Sequence, residues 1–113
     1  MPFINVKTNC KLDESKIETV KAELGKAISA IPGKSEGWLM VGIDDDYKLF
    51  FKGTSAPACM VDVEIYGNAN SSAMNNLTSK ITDILNQNTG ASPDRIYVCY
   101  KTTGDWGWNG NNF

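Results

Sequence analysis

The chain has no histidine. The side chain that most often carries protons near neutral pH, and most often ligates transition metals, is therefore absent. Any proton transfer must come from carboxylates, lysine, tyrosine, cysteine or a chain terminus. Arginine is almost absent too. Arg95 is the only one, no basic run appears, and the formal charge is −2, a balance that argues against a nucleic-acid partner. The cysteines, Cys10, Cys59 and Cys99, are odd in number and far apart. With no C-x-x-C spacing, neither a dithiol redox pair nor a metal site is suggested. No apolar run approaches the roughly 20 residues of a membrane helix, and the first residues lack the charged-then-apolar pattern of a signal segment. The expectation is a soluble protein without membrane contact, its 113 residues forming one domain over 1–113.

Against these absences stands the start of the chain. Met1-Pro2 precedes an alternating, strand-like run, Phe3-Ile4-Asn5-Val6. Methionine is usually trimmed before a residue as small as proline, which would free the ring nitrogen of Pro2 as a secondary amine. In a dry pocket near a cation the charged form of such an amine is disfavoured and its pKa falls, leaving a base suited to moving protons. On Pro2 alone, an ordinary second residue before a strand is the reading to prefer.

Two amphipathic helices follow. The first starts near Asp13 or Ser15, either of which can cap it. Its inner face is Ile17, Val20, Leu24, Ala27, Ile28 and Ile31, and Pro32-Gly33 ends it. The second runs from Asn70 to Asn88 with Met74, Leu77, Ile81, Ile84 and Leu85 inward, and Gly90 ends it. Strands are expected at 38–43, 59–66 and 95–100, with a short one at 47–51. Asp44-Asp45-Asp46 reads as a turn, since it lacks the later ligands of a calcium loop. Ile17 and Met74 are 74 − 17 = 57 residues apart. Val20 and Leu77, Leu24 and Ile81, and Gly33 and Gly90 share that offset. The pattern predicts an α+β fold: two pseudo-symmetric β-α-β units building a four-stranded mixed sheet with both helices on one face. Leu39, Val41, Ile43, Val61, Val63, Ile65, Ile96 and Val98 suggest strands apolar on both sides, hence an apolar uncovered face and a homo-oligomer. The aromatic-bearing tail, Thr102 to Phe113, is expected to dock on a neighbouring subunit.

Met1-Pro2 with Thr8-Asn9, Gly33-Lys34, Phe51 with Gly53, Ser55 and Pro57, Gly67, Ser92-Pro93-Asp94-Arg95-Ile96-Tyr97, and Gly107-Trp108-Asn109 with Phe113 resemble the macrophage migration inhibitory factor family of the tautomerase superfamily. They span essentially the whole chain in the family's order. The resemblance implies a homotrimer of sheets with pockets at subunit interfaces, and a cofactor-free, metal-free keto-enol tautomerase for phenylpyruvate-like α-keto acids. It implies Pro2 as the catalytic base and Lys34 as the group holding the substrate's carboxylate or oxygen. Tyr97 would come from a neighbouring subunit, and Phe3, Trp38, Trp106, Trp108 and Phe113 would form an apolar pocket rim. Read from spacing alone, Lys34 is more simply a helix-end lysine and Tyr97 a packed strand aromatic.

Three departures separate this chain from the family pattern. Tyr66 stands where relatives usually have isoleucine, a position that acts through its backbone. Cys99 replaces a frequent asparagine, and a thiol is a poor substitute for an amide. Ala58 and Val61 occupy the places of a C-x-x-C pair, so no thiol-oxidoreductase activity is carried over. The resemblance also leaves a second function open: a cytokine-like protein that leaves the cytoplasm without a signal peptide and binds a receptor, its pocket incidental. Hydration or dehalogenation at an amino-terminal proline is disfavoured, because such sites need additional arginines.

Overall fold

A computed structural model describes all 113 residues. The strands β1 (Pro2–Thr8), β2 (Met40–Asp44), β3 (Cys59–Tyr66) and β4 (Ile96–Thr103) form one sheet in the order β2-β1-β3-β4. The central pair β1–β3 is antiparallel, and each outer strand runs parallel to its inner neighbour. The helices α1 (Glu14–Ala27) and α2 (Ser71–Thr89) bring Val20, Leu24, Leu77, Ile81 and Leu85, all fully buried, into one core with the sheet. No helix is long and apolar enough to cross a membrane.

The 57-residue offset extends well beyond the helices. Phe3 pairs with Met40, and Met60 with Tyr97. The 3-10 turns Glu36–Trp38 and Pro93–Arg95 are related by the same shift. So are the two helix caps: Asp13 accepts the Lys16 N–H at 2.8 Å and Asn70 the Ala73 N–H at 2.7 Å. Asp13, not Ser15, therefore caps α1, satisfying a backbone donor that the helix itself leaves free. The two helices do differ at their ends. Gly90 closes α2 in the left-handed region (φ 77), whereas α1 tightens after Ala27 into a 3-10 turn, Ile28–Ala30. Pro32 explains this, because its ring pushes the preceding residue out of helical geometry, and Ile31 is extended at φ −89, ψ 115.

Several expectations need correction. The strand at 38–43 begins at Met40, because Trp38 sits in a 3-10 turn. Residues 47–51 do not form a strand; only the isolated bridge Phe51–Thr54 appears. The Tyr47 N–H and the Leu49 carbonyl bond instead to Thr8 and Asn9 at the end of β1. The uncovered sheet face is not apolar. Successive side chains alternate faces, and Val61, Val63 and Ile65 are fully buried, with Val41, Ile43 and Val98 packed on the same core. The opposite parity is mixed: Phe3, Asn5 and Lys7 on β1, Met60, Asp62 and Glu64 on β3, Tyr97, Cys99 and Lys101 on β4. Lys101 and Asp62 form an ion pair there at 3.9 Å. The apolar strand residues are accounted for by the helices alone.

Leu24→Ala and Ile81→Ala occupy equivalent places in the two units. Each should cost about 2–5 kcal/mol of unfolding free energy, read from urea titration at one fixed protein concentration. A loss below about 1 kcal/mol at either position would contradict a core shared equally by both units.

Candidate active site

The site begins where β1 begins. Pro2 is buried opposite Ile65, and the next residue of β3, Tyr66, donates its N–H to the Met1 carbonyl at 2.9 Å. The turn after α1 passes through Pro32 and Gly33, the latter at φ +81. Glycine adopts that conformation without a Cβ clash. The Lys34 N–H then bonds to the Ile31 carbonyl at 3.1 Å, and the half-buried side chain reaches across so that Nζ donates to the Tyr66 carbonyl at 2.9 Å. Neither ion pair of the structure involves Lys34. An ammonium in a half-dry corner without a carboxylate is set to receive an anion. The terminal amine shares that corner. Burial, then the charge of Lys34 and its contact, push the amine's pKa below the usual value. In the chain that retains Met1, this amine belongs to Met1 and the Pro2 nitrogen is an amide.

Aromatic rings wall the corner. A hollow of about 580 Å³ is lined by Met1, Pro2, Phe3, Trp38, Trp106 and Trp108 among others. The tail contributes through a hairpin, β5 (Gly107–Trp108) and β6 (Asn111–Asn112). Asn109 and Gly110 turn it at φ 54 and 86, the double positive φ of a two-residue hairpin, and the Phe113 N–H closes it on the Trp106 carbonyl at 3.0 Å. Trp108 meets Trp38 edge-on with centroids 5.1 Å apart, and Phe113 lies parallel to Trp108 at 6.1 Å and tilted on Tyr66 at 5.2 Å. Trp38, Trp108 and Phe113 are 49%, 52% and 52% exposed, so ring contacts rather than deep burial hold the hairpin, each worth about 0.5–1.5 kcal/mol. Within one chain the tail therefore rests on Trp38 and Tyr66, while its half-exposed rings keep a face free. Lys34 does not itself line this hollow; the amino terminus, which does, has the Lys34 ammonium as its neighbouring charge.

Tyr97 and Cys99 lie elsewhere. Tyr97 pairs with Met60, five residues along β3 from the partner of Pro2, a separation of roughly 16 Å along the strand. Its ring packs on Phe51 with centroids 5.0 Å apart, beside a hollow of about 360 Å³ that Cys59 and Met60 also line. Cys99 is exposed opposite Asp62 on the uncovered face. Two residues to which sequence reasoning gave no role build this region. Asn9 donates to the carbonyls of Leu49, Ser55 and Ala56 and accepts the Ala58 N–H at 2.9 Å. Arg95 donates to the carbonyls of Phe51, Thr54, Ala56 and Pro57 and stacks over Phe51. Both stood inside the family motifs, but nothing in their spacing signals a loop clamp. Burial raises the pKa of the Cys59 thiol, partly offset by hydrogen bonds with Thr8 and Thr89, so this cysteine is a poor nucleophile.

Two β-α-β units on one sheet, with an amino terminus, a lysine and an aromatic wall gathered at one corner, define an α+β protein of the tautomerase superfamily. More narrowly, the family model described as macrophage migration inhibitory factor (MIF) matches residues 1–113, and the chain belongs to that family. The rat macrophage migration inhibitory factor is 28% identical over 115 residues, covering 100% of this chain and 99% of the rat protein. Among solved structures, Leishmania major MIF2 superposes with a TM-score of 0.93 at 34% identity, over 100% of this chain and 97% of that one. The Trichinella spiralis factor gives 0.82 at 26%, over 98% and 99%.

Proposed function

We propose that this protein is a cofactor-free keto-enol tautomerase for phenylpyruvate-type α-keto acids, with Pro2 as its base once Met1 is removed. The observation that carries this reading is the corner shared by the amino terminus and Lys34, where burial and a neighbouring positive charge hold a terminal amine below its usual pKa. Trimming Met1 would make the Pro2 nitrogen, one residue further along in the same corner, the terminal secondary amine. The neutral nitrogen takes a proton from the carbon next to the carbonyl. The electron pair moves onto the carbonyl oxygen, and the same nitrogen, now protonated, delivers its proton there to give the enol. The reverse reaction retraces these steps. Lys34 holds the carboxylate or the developing oxyanion, worth most where water is excluded, and the aromatic wall receives the ring. Tyr97 is too distant to serve its own Pro2. In the proposed homotrimer it is supplied by a neighbour, with one pocket at each seam.

Intact mass should show the chain without Met1. Pro2→Gly in that form should lower kcat/KM by about 100-fold or more at unchanged melting temperature; full activity in the variant would sink the proline base.

Lys34 also sets the pH profile. The base works only when neutral, so activity rises with pH through its pKa. A nearby cation lowers that pKa, and removing it raises it. Lys34→Ala should therefore raise KM and move the acidic limb of the kcat/KM profile to higher pH. A limb that stays put would separate Lys34 from the base.

Chains carrying Pro2→Gly and chains carrying Tyr97→Ala, dissociated and reassembled together, should regain activity that neither has alone. Mixed seams then pair an intact Pro2 with an intact Tyr97. No recovery would overturn donation of Tyr97 across the seam.

A further inference from the structure

Tyr66 does two separable jobs. Its backbone joins the charged corner, accepting from Lys34 Nζ and donating to the Met1 carbonyl, both at 2.9 Å. Its ring, on the other side of the strand from the core, meets Phe113 with centroids 5.2 Å apart and planes tilted by 39°. Phe113 is the last residue of a hairpin only two residues to a strand, too small to be ordered by itself. Through the stack on Trp108, at 6.1 Å and 4° between planes, Phe113 in turn orients the wall. The cation that receives the anion and the wall that receives the ring are therefore joined through one residue.

We propose that Tyr66 is a positioning residue: by holding Phe113, it fixes the distance between the Lys34 ammonium and the aromatic wall, and so makes the site prefer α-keto acids bearing a ring over aliphatic ones. This rests on the tautomerase reading above. The contact is made by ring faces, and no polar partner of the Tyr66 hydroxyl is involved in it. Phenylalanine at this position preserves the preference, whereas an aliphatic side chain frees Phe113 and loosens the wall. The anion-binding backbone stays where it is.

The test compares kcat/KM for phenylpyruvate with that for an unbranched aliphatic α-keto acid, in the Met1-free protein and in Tyr66→Phe, Tyr66→Ile, Phe113→Ala and the Tyr66→Ile/Phe113→Ala double variant. Tyr66→Ile should lower the aromatic-to-aliphatic ratio about three- to tenfold, through KM for the aromatic substrate. Tyr66→Phe should restore the ratio, and the double variant should be no worse than Phe113→Ala, because both changes break one element. Acrylamide quenching of tryptophan fluorescence gives a second readout, because Trp108 stacks on Phe113: stronger in Tyr66→Ile, and unchanged in Tyr66→Phe. An unmoved ratio, an equal loss on both substrates or additive losses in the double variant would overturn the proposal. If the protein turns over neither substrate, the tautomerase reading fails, and unaltered tryptophan quenching in Tyr66→Ile then overturns the Tyr66–Phe113 link as well.

Discussion

The rest of the molecule depends on the antiparallel ladder between β1 and β3. It runs from Pro2 opposite Ile65 to Thr8 opposite Cys59 and is centred on Asn5 opposite Asp62. Those central residues are themselves one repeat apart, so a pseudo-two-fold passes through their pair and relates the two units. The same register turns Ile4, Val6, Val61 and Val63 toward the helices and brings the Tyr66 N–H to the Met1 carbonyl. A slip of one residue would reverse every side chain on one strand, moving those four off a common core. It would also carry the Tyr66 carbonyl away from Lys34. Core and site are thus specified by one pairing rather than by two independent sets of contacts.

The two halves share a frame and have diverged in chemistry. One repeat length separates Pro2 from Cys59, Lys34 from Ala91, Trp38 from Arg95, and Trp108 from Phe51. Even the tail hairpin has a counterpart. Lys52 and Gly53, at φ 52 and 74, match Asn109 and Gly110, and the Phe51–Thr54 bridge matches Trp108–Asn111. Each half therefore carries a hollow flanked by a turn with aromatic side chains. What distinguishes them is the use of positive charge. Arg95 spends its donors on backbone carbonyls and stabilises a loop, while Lys34 makes one such bond and keeps further donors. A protonated lysine has three N–H groups, so the Lys34 corner retains anion-binding capacity.

Much of this architecture could be read from the residues. Helical periodicity and one constant offset led to two equivalent units, because amphipathic faces and glycine stops are local signals. The apolar strands misled. Continuous runs such as Trp38 to Ile43 look buried on both sides, yet here the outer strand β2 carries glycine and edge positions on one face, and alternation sends only Val41 and Ile43 inward. Segment 47–51 had strand-like composition, but pairing depends on a partner edge, and Asn9 and Arg95 take the carbonyls of this region instead. Tertiary hydrogen bonds of that kind leave no periodic trace. The aromatic content of the tail announced docking but could not say onto what, since Trp38 and Tyr66 are distant in sequence. Pro2 draws notice through Met1-Pro2 itself, Lys34 only through the family motifs. Their common corner follows from a turn conformation at Gly33 and the register of β3, neither of which is visible as a pattern.

With the uncovered face mixed rather than apolar, the proposed assembly has to draw on the edges of the sheet instead. Met40 on β2, Tyr97 on β4 and Phe50 beside the Phe51–Tyr97 hollow are 69%, 60% and 66% exposed. The outer sides of β2 and β4 are not paired within the chain, and such edges are open to another strand or loop. The two edges are related by the pseudo-two-fold but differ in side chains, with an amino-terminal site near one and Tyr97 on the other. A contact that joins unlike surfaces repeats around a ring until the rotation closes. Edge-to-edge closure of this kind, under the proposed reading, covers the exposed Met40, Phe50 and Tyr97 and brings the Tyr97 of one chain toward the Pro2 of the next. It leaves the charged face, with Lys7, Asp62, Glu64 and Lys101, lining the inside of the ring, where water can remain. Under that reading, the distance between Pro2 and Tyr97 within one chain and the unpaired edges of its sheet would be met by the same contact between copies.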